Sequence, residues 1–403
     1  MAPERLDAGG ARNRRARVAV AAVFLTNGAL FANLIPRFPE IKSDLAVSNA
    51  MFGAAAASFS AGALLAGLTA AALIRRFQSA RVALVTTYLL AAFMVAAAAA
   101  PTPLMFAAAL FVAGASDAVT DVAQNVNGLR LQREYGRSII NSLHAIWALG
   151  AIVGGLMGTA AIAFGVARDV HLAVAAVVFS VITTVAYRYL LHGPDHEQHP
   201  STTNPDQGRG GAALYLMLAA FVAIAIAGLA VEDAGNTWAT IYLRDSLDAP
   251  AAVAPMGYVA LVTAMFIGRI TGDRFVDRFG ERAVARCGGL IAALGMGAAL
   301  LFPSVPGTIA GFAAAGLGVA TVVPAAMRAA DELPGLRAGT GLTVLSWAMR
   351  AGLLGSPLVV GVIADAAGLR WGLITVPAAG LVLVILGGVL GARQPSATRT
   401  SRG

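Results

Sequence analysis

Polar side chains in residues 114–128, GASDAVTDVAQNVNG, interrupt a stretch that is otherwise apolar. Asp117, Asp121 and Asn125 are spaced four residues apart, so in a helix they share one face. A charged group at the centre of a bilayer costs at least about 2.5–3.5 kcal/mol, so this face should avoid lipid. The spacing therefore predicts the wall of an aqueous pathway, where a carboxylate could gain and lose a proton. Alternatively, both acids could cap the helix or pair with loop arginines near the inner interface.

Arg350 is a second charge inside an apolar stretch. At 1.5 Å per residue it lies about 15 Å from the start of that stretch, close to the middle of a bilayer. Because its guanidinium stays protonated, it needs a carboxylate partner or an anionic ligand. Asp117 lies at a compatible depth and is the preferred partner; a residue from Arg350's own half of the chain is the alternative.

Several further polar residues could line the same pathway. Glu232 and Asp233 end an apolar stretch near the predicted outer face, where they could form an outer gate or the rim of the solute site with Asn236, Trp238 and Tyr242. Trp238 could equally belong to an interfacial aromatic belt. His144, at the start of another stretch, could relay protons or serve as a hydrogen-bonded histidine at a helix end. The first apolar stretch contributes two candidates for solute contact, Asn27 and Asn33.

The composition indicates an integral membrane protein. Hydrophobic residues make up 58% of the 403-residue chain, charged residues only 12%, and the mean hydropathy is +0.74, whereas soluble domains contain about 25% charged residues. The single cysteine, Cys287, excludes an intramolecular disulfide framework and a cysteine-based metal cluster. No Walker-type phosphate loop, HExxH zinc pair or soluble segment long enough for catalysis occurs. We therefore expect no enzyme, no cofactor and no bound metal.

Twelve apolar stretches have about the twenty residues that a membrane-spanning helix needs. Residues 12–35 could instead be a signal peptide, but eleven further spans and the lack of a small-residue cleavage site favour an uncleaved helix. The predicted spans lie near 18–36, 51–74, 82–100, 103–126, 140–163, 170–190, 212–233, 253–271, 284–302, 306–327, 340–364 and 371–391. The corresponding organisation is a tail (1–17), a bundle (18–191), a linker (192–211), a second bundle (212–392) and a tail (393–403).

Basic residues predict the orientation of these spans. With the N-terminus inside, most arginines fall in segments that face the cytoplasm, which predicts two cytoplasmic termini. The net charge of +8 then needs no nucleic-acid partner. His192, His196 and His199 in the linker lack the partners and spacing of a metal site, so they are interpreted as solvated residues.

An internal repeat divides the chain into halves. IWALGAIVGG (146–155) aligns with SWAMRAGLLG (346–355), and RRFQSAR (75–81) aligns with DRFGERA (277–283), both at an offset of about 200 residues. Duplication in a twelve-span chain predicts an all-α membrane fold of two pseudo-symmetric six-helix bundles with a solute path between them.

The segment GDRFVDRFGERAV (272–284) resembles the loop signature of the major facilitator superfamily. The resemblance implies a gating loop, whose charges would hold the inner side closed and separate on opening; ordinary positive-inside charge is the alternative. Glu281 replaces an arginine of that signature. The residues that match it are Asp277, Arg278, Gly280 and Arg282.

Three longer segments resemble a bacterial subgroup described as YbjJ-like, which is related to the fucose permeases. They are FLTNGALFANLIPRFPEIKSDL (24–45), DVAQNVNGLRLQREYGRSIINSLHAIWALGAIVGG (121–155) and VEDAGNTWATIYLRD (231–245). Sugar–proton symporters of the wider group tend to carry an acid in the first helix, where this chain offers only Asn27 and Asn33. A fucose-type mechanism is therefore not transferred to it.

Together these features predict a monomeric, multi-pass secondary transporter of the bacterial cytoplasmic (inner) membrane. The expected partners are the lipid bilayer, a small polar solute such as a sugar or organic acid, and protons. Drug or metabolite efflux in the same fold is the first alternative, and its cavity should be more apolar. A transport-inactive membrane scaffold or sensor and a membrane-embedded enzyme are alternatives from other classes.

Overall fold

The computed structural model describes residues 3–136, 138–193, 212–333, 336 and 340–391, with the backbone alone for residues 3–11. Every regular element in these ranges is helical. Most of the predicted linker (194–211, including His196 and His199) and the tail 393–403 lie outside the described residues. The predicted N-terminal tail is helical from Pro3 onward, as part of the first helix.

The helices of the two halves follow one another with short connections. The first half contains α1 (Pro3–Leu34), α2 (Phe38–Asp44), α3 (Asn49–Phe77), α4 (Ser79–Ala98), α5 (Pro103–Tyr135), α6 (Ile140–Ala163) and α7 (Arg168–Tyr187). The second half contains α8 (Ala212–Ile241), α9 (Met256–Phe279), α10 (Glu281–Leu301), α11 (Val305–Val319), α12 (Val322–Asp331), α13 (Thr340–Ala367), α14 (Leu369–Gly372) and α15 (Thr375–Leu386).

Eleven helical segments of the described chain are long and apolar enough to cross a membrane. The remaining predicted span is the eighth, 253–271, which corresponds to α9; the second half of this helix carries Arg269, Asp273 and Asp277, which lower its hydropathy. The predicted end of the seventh span was wrong. Helix α8 continues past residue 233 to Ile241 and then into a π-helical turn, Tyr242–Ser246.

The packing partners of the two halves correspond. In the first half α1 packs against α6 and α7, α3 against α5, and α4 against α5 and α7. In the second half α8 packs against α13 and α15, α9 against α11, and α10 against α11 and α15. Each helix pair of the second half corresponds to the pair that lies six membrane spans earlier in the first half: α8 to α1, α9 to α3, α10 to α4, α11 to α5, α13 to α6 and α15 to α7. This correspondence confirms the predicted pair of pseudo-symmetric bundles.

The repeat extends to the backbone of the turns between α3 and α4 and between α9 and α10. Gly280 has φ 82° and ψ 154°, a region that essentially only glycine occupies, and Gln78 adopts nearly the same angles, φ 71° and ψ 145°. The Gln78 side chain accepts a hydrogen bond from the Gly193 backbone N–H at 3.2 Å. We call the end of the molecule with Gln78, Gly193 and Gly280 the linker face, and the end with Asp44 and Gly368 the opposite face.

In the described chain, the most extensive helix contacts between the bundles are those of α3 with α13 and of α6 with α9. Glycines allow this close approach, as they do in many membrane helix interfaces. A Cβ atom built on Gly53 of α3 would lie 2.3 Å from the carbonyl oxygen of Pro357 in α13. A Cβ atom on Gly155 of α6 would lie 2.7 Å from the ring of Tyr258 in α9.

Gly53→Ala should lower the free energy of unfolding by about 1–3 kcal/mol, because the added methyl overlaps backbone of the other bundle. The matched control is Gly355→Ala in α13, where a Cβ atom meets nothing within 4 Å. The control gains up to about 1 kcal/mol of helix propensity without a clash. Thermal unfolding in one detergent compares the variants, and equal melting temperatures would contradict this close contact.

Candidate functional site

A cavity of about 280 Å³ lies between the bundles and is lined by both. Its polar lining comes from Asn27, Ser60, Asp117 and Trp147 in the first bundle and from Glu232, Asp233, Asn236, Thr237, Tyr258 and Arg269 in the second. Its apolar lining includes Phe31, Phe38, Phe59, Leu110, Val262, Met265 and Phe266. We call this space the central cavity.

A second cavity of about 350 Å³ adjoins the central cavity on the side of the linker face. The two share Asn27, Asp117, Trp147 and Arg269. The adjoining cavity is further lined by Gly67, Asp121, His144 and Arg350. Polar side chains therefore extend from the central cavity toward the linker face.

Asn27 of α1 organises the wall on the side of the first bundle. Its Nδ2 donates to Oδ1 of Asp117 at 2.7 Å, and its Oδ1 accepts from Nε1 of Trp147 at 2.9 Å and from Nε2 of Gln124 at 3.3 Å. Side chains from α1, α5 and α6 are thus joined by one buried amide, which fixes the direction of the Asp117 carboxylate. Sequence reasoning missed Gln124, although it lies between two residues that were singled out.

The polar face of α5 continues toward the linker face. Asp121 Oδ1 accepts from Gln124 Nε2 and from Asn125 Nδ2, both at 3.1 Å. Asn125 Oδ1 in turn lies 3.1 Å from Nε2 of His144 on α6. Neither Asp117 nor Asp121 forms an ion pair with another described residue. Within the described chain, neutral amides hold both carboxylates.

Glu232 and Asp233 lie on the wall of the central cavity, in the interior of α8. Their predicted position near the outer face was wrong because the helix continues beyond them. Glu232 pairs with Arg269 of α9 at 3.7 Å. Asp233 Oδ1 accepts from the Thr237 hydroxyl at 3.2 Å, and the Ser356 hydroxyl of α13 also lies beside this carboxylate.

Arg350 reaches across the interface between the bundles. Its Nη1 lies 3.5 Å from the Ala63 carbonyl oxygen on α3, and its guanidinium lies beside Gly67. Among the described residues, Arg350 therefore forms neither the preferred ion pair with Asp117 nor the alternative ion pair within the second bundle. Arg350 lines the adjoining cavity together with both Asp117 and Asp121, without an ion pair to either carboxylate in the described chain.

Four residues that were predicted to line the pathway line neither cavity: Asn33, Asn125, Trp238 and Tyr242. Asn33 Nδ2 donates to the Ala29 carbonyl at 2.8 Å, and its Oδ1 lies 3.0 Å from Nε2 of His171 on α7, within the first bundle. Trp238 is 0% exposed and packs edge-on against Phe52 of the other bundle, with ring centroids 6.1 Å apart. Trp238 is therefore part of the contact between bundles rather than of a lipid-facing aromatic belt.

The opposite face is closed by contacts between the bundles. The Asp365 carboxylate, at the end of α13, accepts the backbone N–H groups of Asn49 and Ala50 at 2.7 and 2.9 Å. These groups are unsatisfied donors at the positive end of α3, so a carboxylate there is stabilised by hydrogen bonds and by the helix dipole. Lys42 and Asp245 add an ion pair at 3.2 Å. Sequence reasoning missed Asp365.

On the linker face, the described side-chain contacts of the 272–284 loop are with residues of the second bundle. Glu281 pairs with Arg328 at 2.7 Å, and Arg282 Nε reaches the Leu390 carbonyl at 3.5 Å. Asp277 is exposed, Arg278 lies over the Phe279 ring, and Gly280 forms the turn. Since the opposite face is joined across the bundles, the central cavity and the adjoining cavity lie on the linker-face side of a closed contact.

Comparison with known proteins decides the family. The sequence model of the Major Facilitator Superfamily matches residues 20–276. The chain belongs to this superfamily. It is 29% identical to membrane protein MosC of Rhizobium meliloti over 91% of this chain and 88% of that one. It is 31% identical to an uncharacterized transporter, y4wD, of Sinorhizobium fredii over 87% of this chain and 92% of that protein.

Solved transporters share the fold of this superfamily member. A point mutant of the nucleoside transporter NupG superposes with a TM-score of 0.75 at 14% identity, covering 92% of this chain and 98% of NupG. A point mutant of the fucose:proton symporter FucP of E. coli superposes with a TM-score of 0.58 at 16% identity, covering 92% of this chain and 97% of FucP. The family match and the transporter relative make the chain a multi-pass membrane transporter and not an enzyme.

Asp365→Ala should weaken closure of the opposite face, because two N–H groups of α3 lose their acceptor. Spin labels at Leu104 and Phe302, both exposed near that face, report the distance between bundles in a Cys287→Ser background. We expect a longer or broader distance distribution than in the parent. Asp248→Ala, which removes an exposed carboxylate on the same face, should leave the distribution unchanged; identical distributions for both variants would refute the role of Asp365.

Glu232 and Arg269 should be energetically coupled, because either variant alone leaves a charge in the cavity without its partner. In a double-mutant cycle of Glu232→Gln and Arg269→Gln, we expect a coupling of about 0.5–3 kcal/mol in unfolding. The control cycle combines Arg269→Gln with Asp331→Asn, an exposed residue at the end of α12, and should be additive within about 0.5 kcal/mol. Additivity in both cycles would show that the Glu232–Arg269 ion pair does not contribute to the free energy of unfolding.

Proposed function

We propose that this chain is a proton-coupled secondary transporter of a small, hydroxyl-rich, uncharged solute. The central cavity would bind the solute, and the two bundles would alternately expose it at the linker face and the opposite face. The observation that carries the proposal is the Asp117 carboxylate on the cavity wall, held by the neutral amide of Asn27 at 2.7 Å.

The partner of Asp117 matters because protonation of a carboxylate breaks an ion pair but not a hydrogen bond from a neutral amide. A carboxylate in an ion pair can take up a proton only by leaving its cation without a partner, which is costly inside a protein. The amide of Asn27 donates a hydrogen bond to a neutral or an ionised carboxyl group. Asp117 can therefore exchange a proton with water in the cavity while the surrounding network of Trp147 and Gln124 stays intact.

The lining of the central cavity supports the solute class. Its volume of about 280 Å³ lies near the lower end of the roughly 300–1,000 Å³ typical of small-molecule sites, so the solute should be small. The amide of Asn236, the hydroxyl of Ser60 and the carboxylates of the lining match a solute rich in hydroxyl groups. The single arginine of this lining, Arg269, already pairs with Glu232, so among the two predicted classes the lining favours a sugar over an organic acid.

The structural neighbours are compatible with this class, since one is a nucleoside transporter and another a fucose:proton symporter. Export of an amphipathic compound is the second candidate, because Phe31, Phe59 and Phe266 give part of the same cavity an aromatic wall. The arginine-rich linker face would be cytoplasmic, and the protein would act as a monomer in the bacterial inner membrane with both termini inside.

Asp117→Asn should abolish solute accumulation driven by a pH gradient in proteoliposomes, while exchange of labelled for unlabelled solute continues. The amide keeps the shape of the side chain and the contact to Asn27 but cannot carry a proton. The solute is chosen from sugars, polyols, nucleosides, carboxylates and amphipathic amines by its thermal stabilisation of the purified protein.

The control is Asp248→Asn, an exposed residue with φ 52°, a conformation that asparagine also adopts. It should accumulate solute as the parent does. Undiminished accumulation by Asp117→Asn would remove Asp117 from the coupling mechanism. A parent protein that moves no member of the solute panel would instead support the scaffold or sensor alternative.

A further inference from the structure

A groove of about 590 Å³ lies between α1 and α7, away from the central cavity. Its walls are apolar along most of their length, and its end toward the linker face is basic. The residues that line it are Arg14, Arg15, Val18, Ala19 and Ala22 from α1, and Val181, Ile182, Val185, Ala186 and Tyr189 from α7 and the residues just after it.

The apolar walls of the groove face the bilayer. Val18 is 71% exposed, Val181 56% and Val185 52%, and these side chains belong to two membrane-spanning helices. Lipid acyl chains are the surroundings that such exposed apolar side chains have in a membrane. The groove therefore offers one acyl chain a longer contact than a flat helix face would.

The basic end of the groove lies at the level of the lipid headgroups. The part of α1 from Arg15 to Leu34 spans about 30 Å at 1.5 Å per residue, which matches the hydrocarbon thickness of a bilayer. Tyr189 lies at the corresponding end of α7, where aromatic hydroxyls favour the membrane–water interface. Arg188 follows Val181 by seven residues and so shares its helix face.

The arginines of the groove differ from their neighbours on α1. Arg12 pairs with Glu134, and Arg17 lies over the ring of Tyr135. Arg14 and Arg15 are exposed and form no ion pair or hydrogen bond with any residue that the structure describes. Their donors remain available to a ligand outside the protein.

We propose that this groove binds an anionic phospholipid. Its phosphate accepts hydrogen bonds from Arg14 and Arg15, with Arg188 adding positive charge, because guanidinium groups match the geometry of phosphate oxygens. One acyl chain lies along Val18, Val181 and the residues between them in the groove. The bound lipid bridges α1 and α7, and α1 is also the helix that carries Asn27; the site itself does not depend on the proposed solute or on proton coupling.

Binding is tested on the purified full chain by native mass spectrometry and thermal unfolding in a neutral detergent, with phosphatidylglycerol or phosphatidylcholine added. We expect bound phosphatidylglycerol and a raised melting temperature, and neither with phosphatidylcholine. Arg14→Gln/Arg15→Gln should weaken phosphatidylglycerol binding at least about tenfold, equivalent to about 1.4 kcal/mol. Equal binding of the two lipids would overturn the proposal.

The matched control is Arg81→Gln/Arg133→Gln, which removes two exposed arginines near the linker face and outside the groove. It changes the net charge equally and should bind phosphatidylglycerol as the parent does; an equal loss in both double variants would show unspecific attraction and overturn the site. Val181→Trp, which fills the groove and keeps both arginines, should also lose binding. If Val181→Trp still binds phosphatidylglycerol, the lipid does not occupy the groove and the proposal is overturned. If the parent protein instead has the mass of a dimer and Val181→Trp has the mass of a monomer, the groove contacts a second copy of the chain, which also overturns the proposal.

Discussion

Inside a bilayer a polar group must find its partner within the protein or in a water-filled cavity, and this constraint shapes the whole molecule. Asp117, Asp121, Glu232 and Asp233 would each be costly on a lipid-facing surface. The fold places the four carboxylates on cavity walls between two bundles. The apolar exteriors of the same helices can then meet lipid over their full length.

The two bundles share their packing but not their chemistry. On the first-bundle wall, carboxylates are held by amides, through Asn27 for Asp117 and through Gln124 for Asp121. On the second-bundle wall, Glu232 has an arginine partner, Arg269. The packing is therefore symmetric, whereas the lining is not: among these carboxylates, Glu232 has an arginine partner and Asp117 and Asp121 have amide partners.

Closure of the opposite face combines steric and polar contacts from different parts of the chain. Gly53 lets α3 approach α13 at the carbonyl of Pro357, and Asp365 then reaches the free N–H groups at the start of α3. Trp238 fills the space between bundles against Phe52. These contacts are short-ranged, so rotation of one bundle would break them, as the alternation proposed above requires.

The sequence by itself determined the membrane class, the twelve spans and the duplicated plan, because apolar length and internal repetition are local properties of the chain. It also singled out Asp117 and Asp121, because a charged residue within an apolar segment can be recognised in the sequence without knowing which way the helix faces. It misplaced Glu232 and Asp233, because polar residues that line a cavity look the same in sequence as residues that end a span.

Only the tertiary structure decided which polar residues meet. Asn27 and Asn33 lie on one helix six residues apart, yet the first contacts Asp117 and the second His171. Trp147, Gln124 and Asp365 gained their roles from partners on other helices, some more than 300 residues distant in sequence. Such contacts depend on which side of each helix faces which neighbouring helix. Hydropathy identifies the segments that span the membrane, but it does not contain this information.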